Sequence, residues 1–340
     1  MASNLYNLLM SYTKTQVCFT AIELTLFDIL EGGPRSVKQV LEMVEADADR
    51  IECILNACVG MGLLEKIHMA NVDGDCLFRN TPVSKKYLTS SSPLSMLPIF
   101  NGASRIDYQL VGNLTHAVRE GKSQIPRVYG SRNYFDELYR DPNEMKAFMA
   151  EMHSTITVLM RELVTLFDLS HYTNACDVGG CTGALAYAFA AKYPKMTLAV
   201  LDIPDVIALA GHFTPIDPKS ERVTFIACDF FAGPFPNSDL FVLSNILHDW
   251  SDDRIGGILT KAYNALDSGG AILIIEALYD DDKTGPITTT ALCMVMMATF
   301  DGGKQRSAHE ITQLLEKHGF VDVQVKRSGI VHDAILAKKM

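Results

Sequence analysis

The chain carries one tryptophan, no excess of positive charge and no long apolar run. Lysine and arginine number 30 against 40 aspartate and glutamate, a formal charge of −10. Nucleic acid and anionic membrane surfaces are engaged through clustered cations, so neither is expected as a main partner. No apolar stretch approaches the roughly 18 residues that cross a bilayer, so no spanning helix is expected. The opening Met1-Ala2-Ser3-Asn4-Leu5 has no basic segment followed by an apolar one, so no secretory signal is expected either. The eight cysteines include no Cys-x-x-Cys pair, which removes the usual spacing of zinc and dithiol sites. Several lie in apolar runs, where a reduced thiol packs as a small hydrophobe. Free thiols, a cytoplasmic location and no metal are therefore expected. Internal repeats and low-complexity segments are absent as well.

What is present is an ordinary compact composition, 48% hydrophobic and 21% charged over 340 residues, enough for two cores. From Ser11 to Tyr134 apolar residues recur at helical spacing, as in Val17, Ala21, Leu24, Phe27 and Leu30, a helix that Gly32-Gly33-Pro34 should end. Helices over 36–44, with Ser36 as N-cap, and over 47–61 should follow. A hairpin over 62–67 and 76–79, turning at Asp73-Gly74, completes a winged-helix pattern. From Ser36 to Lys66 the acids Glu42, Glu45, Asp47, Asp49, Glu52 and Glu65 outnumber Lys38, Arg50 and Lys66. A DNA-reading helix needs cations on phosphate, whereas Ile51, Ile54, Leu55 and Val59 form an apolar stripe. Dimerisation or covering a substrate is the expected role.

Near Tyr172 the pattern changes. Short apolar runs at 175–178, 198–202, 223–226, 240–243 and 271–275 alternate with helical stretches such as 183–192 and 254–266. Continuous apolar strands alternating with helices indicate a parallel sheet covered on both faces. Alternating runs at 321–326 and 333–338 add an antiparallel hairpin at its end. The expected organisation is a helical winged-helix domain over 1–110, linking helices over 111–170 and an α/β domain over 171–340.

Two motifs carry chemistry. Gly179-Gly180-x-x-Gly183 follows a strand and opens a helix, the setting in which glycines let the backbone approach a nucleotide-type cofactor. Asp202 ends the next strand and is placed to accept ribose hydroxyls. Asp229-Phe230 ends the third, where an acid and an aromatic ring could hold adenine. No Gly-Lys-Ser/Thr follows the turn, so a P-loop is not indicated. His248, in Leu247-His248-Asp249-Trp250, follows the fourth strand at the same sheet edge. It could take a proton from a phenol or indole hydroxyl, or simply cap the helix that follows. Glu276 ends the fifth strand and could orient the imidazole, or stand solvated at the rim. Phe148, Met149 and Met152, and Met294, Met296 and Met297, suit core packing or a flat aromatic ligand equally well.

Asp177-Val178-Gly179-Gly180, Asp202-Ile203-Pro204, Asp229-Phe230-Phe231, Leu247-His248-Asp249-Trp250 and Gly302-Gly303-Lys304-Gln305-Arg306 together resemble the small-molecule O-methyltransferases of plants and animals. That family includes the caffeic acid and acetylserotonin enzymes. Residues 21–28 and 333–337 look most like the acetylserotonin branch. The resemblance implies a Rossmann-like S-adenosylmethionine (SAM) methyltransferase sheet and a homodimer formed through the amino-terminal domain. It also implies a hydroxyindole, such as N-acetylserotonin, or a phenol as acceptor. By it His248 is the base, Glu276 its support, and Gln305 stands where many members carry a glutamate that positions the histidine. Gln305 should keep a hydrogen bond but offset no charge on His248. Gly179, Asp202, Asp229 and Phe230 would hold SAM beside Tyr139 and Asn245. Phe148, Met152, Asp249 and Met296 would line the acceptor pocket. Cys181 replaces a frequent glycine, and Val295 and Thr299 stand where the acetylserotonin branch tends to place amides.

Overall fold

The computed structural model describes residues 2–68, 76–130, 133–217 and 221–340, and divides them into two compact units, Met1–Ser104 and Arg105–Met340. The expected turn at Asp73-Gly74 lies outside the described residues.

The first unit is helical with one two-stranded wing. Ser36 caps helix Val37–Leu41 through a reciprocal box with Gln39, and Asp47 caps Ala48–Gly60 by accepting the Arg50 N–H at 3.1 Å. Strand β1 (Leu64–His68) pairs antiparallel with β2 (Cys76–Asn80), from Leu64↔Asn80 to His68↔Cys76. Ile51, Leu55 and Cys58 bury one face of helix Ala48–Gly60 against Phe27, Leu64 and Phe78. The helix expected to run through Leu30 breaks earlier. It ends at Glu23, Thr25 turns into the left-handed region at φ 52°, and a short helix, Leu26–Ile29, follows. A non-glycine residue there costs about 1–3 kcal/mol. The turn buries Leu26 and Phe27 completely, worth roughly 1.5–3 kcal/mol each.

The second unit is built on a seven-stranded sheet among the described residues. Its strands are β3 (Asn174–Val178), β4 (Thr197–Asp202), β5 (Val223–Ala227), β6 (Ser238–Ser244), β7 (Leu266–Glu276), β8 (Val321–Lys326) and β9 (Asp333–Lys338). Their order is β5-β4-β3-β6-β7-β9-β8. The first five are parallel, and β9 runs antiparallel to both β7 and β8. The terminal hairpin therefore folds back so that β9, later in sequence, lies inside β8. Residues 111–170, expected as linking helices, fall within this unit.

The strands explain the sheet's position. Ala271, Leu273 and Ile275 of β7 face a core with Leu185, Phe189 and Ala190 of helix Ala184–Lys192. Ile272 and Ile274 face the opposite core, with Ile255, Ile258 and Leu259 of helix Asp252–Ala265 and Ile311 and Leu315 of helix Ala308–Lys317. Period-two alternation with both faces apolar is what a doubly covered sheet requires. Strand β3 has β4 on one side and β6 on the other, so the chain departs in opposite directions about it. That reversal opens a crevice at the carboxyl ends of the strands, where α/β ligands bind.

Candidate active site

The crevice is lined by the turn after β3. Gly179 has φ +71°, and a Cβ added there would stand 2.4 Å from Ile246 Cδ1. At Gly180 a Cβ would meet Asp177 Oδ2 at 2.6 Å, so this second glycine is required by crowding alone. Cys181 also adopts a left-handed conformation, φ 51°, and its N–H donates to Asp202 Oδ2 at 2.9 Å. Asp202 Oδ1 accepts the Ile203 N–H at 2.8 Å. Each carboxylate oxygen thus fixes the backbone around the crevice and keeps a lone pair for a ligand. Burial pushes the Asp202 carboxyl up to about 6; beneath it Asp177 is pushed to about 7 by burial and by Asp202.

Tyr139, Gly179, Asp202, Asp229, Phe230 and Asn245, the six residues expected at a cofactor, all border one cavity of ≈ 970 Å³, its open mouth included. Phe148, Met152 and Asp249, expected at an acceptor, border it too. Met296, on helix Ile287–Thr299, does not belong to this wall, nor do His248, Glu276 and Gln305. Sequence reasoning missed much of the aromatic lining. Phe135 stacks on Tyr139 and on Trp250, each at 5.7 Å between centroids. The Arg254 guanidinium sits 3.8 Å over the Phe231 ring and 4.2 Å over Trp250. The single tryptophan, directly after His248-Asp249, was the one visible signal.

The cavity's polar groups fit SAM. Ser244 Oγ and Asn245 Oδ1 border it, are buried and have no protein partner, as a ligand with polar termini requires. Asp202 offers acceptors of the kind that ribose hydroxyls seek, and Phe230 and Ile203 offer flat apolar surface.

His248 lies in the single turn Leu247–Asp249 that follows β6. Its Nδ1 is 2.6 Å from Glu276 Oε2, and its Nε2 is 3.4 Å from Asp249 Oδ1. Glu276 Oε1 accepts the N–H groups of Ile246 at 3.1 Å and Leu247 at 2.7 Å. One carboxylate therefore holds both the imidazole and the backbone that carries it. Glu276 is buried, not solvated at the rim, and the helix beginning at Asp252 takes no side-chain cap from His248. Burial alone would lower the His248 imidazolium, yet Glu276 and then Asp249 overcome it and raise it to about 9. Asp249 moves up to about 7, chiefly through burial. Glu276 is held below the usual carboxylate range, its burial outweighed by His248.

Arg306 is a further member that the sequence reading passed over. Its side chain is 2% exposed and donates to Leu247 O and Trp250 O, each at 2.8 Å, bracketing His248. It also grips Asp252 Oδ1 at 2.9 Å and 2.6 Å. Lys304 N–H donates to His248 O at 2.9 Å. Gln305, between them, is buried with Oε1 unpartnered and makes no hydrogen bond to the imidazole. The expectation that it would is corrected: Nδ1 is taken by Glu276, and Nε2 faces Asp249.

Residues 111–321 match the family model for the O-methyltransferase domain, and residues 6–90 match that for the O-methyltransferase dimerisation domain. The chain belongs to the O-methyltransferase family. It is 36% identical to human acetylserotonin O-methyltransferase over 343 residues, covering 98% of both chains. It is 37% identical to the Gallus gallus enzyme, covering 96% of this chain and 94% of that one. A human probable bifunctional dTTP/UTP pyrophosphatase/methyltransferase protein is 36% identical across 99% of this chain, which spans only 54% of that protein. The fold superposes on human N-acetylserotonin methyltransferase in complex with SAM with a TM-score of 0.94, at 35% identity over 100% and 98% of the two chains. PigF with SAH follows at 0.87 and 26% identity, each chain covered in full. This O-methyltransferase is SAM-dependent and closely related to acetylserotonin O-methyltransferase. Among the described residues no helix is long and apolar enough to cross a membrane.

Proposed function

We propose that this O-methyltransferase methylates a hydroxyl of a small aromatic acceptor, a hydroxyindole or a phenol, with His248 as general base. The observation that carries the reading is the His248 Nδ1–Glu276 contact of 2.6 Å directly beside a cavity walled by Phe135, Phe148 and Trp250. With Glu276 accepting from Nδ1, the neutral imidazole keeps its proton there and presents a basic Nε2. Nε2 takes the acceptor's hydroxyl proton, and Glu276 stabilises the imidazolium that results. Asp249, bordering the cavity 3.4 Å from Nε2, orients the hydroxyl toward the base. When bound, SAM supplies the methyl group and leaves as S-adenosylhomocysteine. Gly179, Asp202, Asp229, Phe230, Tyr139 and Asn245 hold and align it, and alignment in a dry pocket is the protein's main contribution to rate. The match of residues 6–90 to a dimerisation domain supports a homodimer. The eight free cysteines support a cytoplasmic, reducing location.

The test is product formation from a panel of hydroxyindoles and phenols, read by mass spectrometry, with His248→Ala alongside. A methylated product should fall about 10²–10⁴-fold in that variant while SAM binding persists. Near-normal turnover would remove His248 from the role.

A further inference from the structure

The chain leaving β5 carries two of the residues expected at the cofactor, and it closes at once into a tight turn. Asp229 O accepts the N–H groups of Ala232 at 3.1 Å and Gly233 at 2.7 Å, and Asp229 Oδ1 accepts the Phe231 N–H at 2.7 Å. A turn closed in this way leaves its later carbonyls without partners, as the end of a helix does. Lys261, on helix Asp252–Ala265, answers them. Its Nζ donates to Phe230 O at 3.1 Å, to Gly233 O at 3.1 Å and to Phe231 O. An ammonium has three N–H donors, so all three are spent on this one turn. Among the described residues Lys261 forms no ion pair with a carboxylate.

The turn needs such a hold. Strand β5 is the edge of the sheet, so no further strand supports the chain that leaves it. Asp229, Phe230 and Phe231 nevertheless border the cavity, and the Cys228 N–H just before them donates to Asp202 O at 2.7 Å. A second grip comes from the same helix. Arg254 stands seven residues, two helical turns, before Lys261 and so shares its face. Arg254 covers the Phe231 ring, while Lys261 takes the backbone. Hydrogen bonds from an ionised donor are roughly twice as strong as neutral ones, which makes Lys261 the firmer of the two.

We propose that Lys261 is a positioning residue for SAM: it fixes the Asp229–Gly233 turn so that Asp229 and Phe230 stand at the cavity before the cofactor binds. The inference rests on the reading of Asp229 and Phe230 as residues that hold SAM. Without the ammonium three carbonyls lose their donor, and the turn must be ordered at the moment of binding, a cost subtracted from SAM affinity. Phe148 and Met152, on the separate helix Pro142–Thr155, keep their places, so the acceptor side is spared.

The experiment titrates the full-length protein with SAM, by calorimetry and by the fluorescence of Trp250, the single tryptophan and itself part of the cavity wall. Wild type is compared with Lys261→Met, Asp229→Ala and Arg222→Met. Arg222 is the control, because it gathers the carbonyls of Ala190, Tyr193 and Met196 and does not border the cavity. Lys261→Met should raise the Kd for SAM about tenfold or more, and turnover should show the loss in KM for SAM and not in KM for the acceptor. Arg222→Met should lower the Tm without moving the Kd. An unchanged Kd in Lys261→Met, with weaker binding in Asp229→Ala, overturns the role of Lys261 and leaves the cofactor reading standing. An unchanged Kd in Asp229→Ala overturns that reading and the proposal with it. Equal weakening in Arg222→Met also overturns the proposal, because general destabilisation then explains the loss. If Lys261→Met does not fold, Lys261→Arg decides: it keeps the charge, but its planar fork cannot meet three converging carbonyls, so SAM should bind about threefold more weakly or worse. Wild-type affinity in that variant overturns the proposal.

Discussion

Glu276 divides its carboxylate between two tasks: one oxygen lies 2.6 Å from His248 Nδ1, and the other gathers the Ile246 and Leu247 N–H groups. Replacing it removes the charge that overcomes burial at His248. In Glu276→Gln the base should titrate below its wild-type value of about 9, and the rise of kcat/KM with pH should move to lower pH. The plateau should fall about 10²-fold or more, because the tautomer and orientation are no longer enforced. A pH–rate profile that stays in place would show that Glu276 does not tune the base.

The same pair makes stability depend on pH. The folded value for His248 exceeds the ordinary 6.5, so its contribution is complete below about 6.5 and disappears as pH rises through about 9. Glu276 is lowered, so its share is present above the ordinary 4.5 and lost on acidification. Thermal unfolding of wild type against His248→Asn should show an advantage between those limits that shrinks steadily toward pH 9. A constant difference across that range would contradict the coupling.

Arg306 is expected to matter more than its partner. Arg306→Met strands the carbonyls of Leu247 and Trp250, at roughly 1–3 kcal/mol for each buried group left unpaired. Asp252 has a side chain 52% exposed, so Asp252→Asn should cost under about 1 kcal/mol. Urea unfolding ranks the two directly. If Asp252→Asn is the worse, the bracket around His248 is not what Arg306 supplies.

Gly179→Ala should damage the cofactor site from two directions. The φ of +71° strains any side-chain-bearing residue by about 1–3 kcal/mol, and the new methyl displaces Ile246 Cδ1, which borders the cavity. SAM affinity should drop at least tenfold, measurable by calorimetry. Adding Ile246→Val should recover part of the affinity but little of the stability, because only the contact is relieved.

The sheet was readable because its central strands β3, β6 and β7 carry apolar runs buried on both faces, and the alternating runs at 321–326 and 333–338 coincide with β8 and β9. His248 and Glu276 were readable as partners because they follow neighbouring parallel strands, where Ser244 pairs with Ile275. Residues meeting only through tertiary packing left no periodic trace. Arg306 reaches back to Leu247, Phe135 reaches forward to Trp250, and Gln305 leaves its Oε1 unpartnered, without the bond to the imidazole that its place in the motif suggested. The break at Thr25 was hidden for another reason. The apolar spacing continues through it, and only the left-handed backbone interrupts the helix.

The placement of β9 inside β8 sets an order of events during synthesis. Glu276 ends β7, and its neighbour Asp333 leaves the ribosome much later, after the whole of helix Ala308–Lys317 and β8. Until then β7 presents one unpaired edge flanked by Ile272, Leu273 and Ile274, a template for joining a second nascent chain. A chain stopped before Asp333 would hold the glycine turn and His248 yet keep that edge open, so premature termination should yield aggregates in place of a slow enzyme.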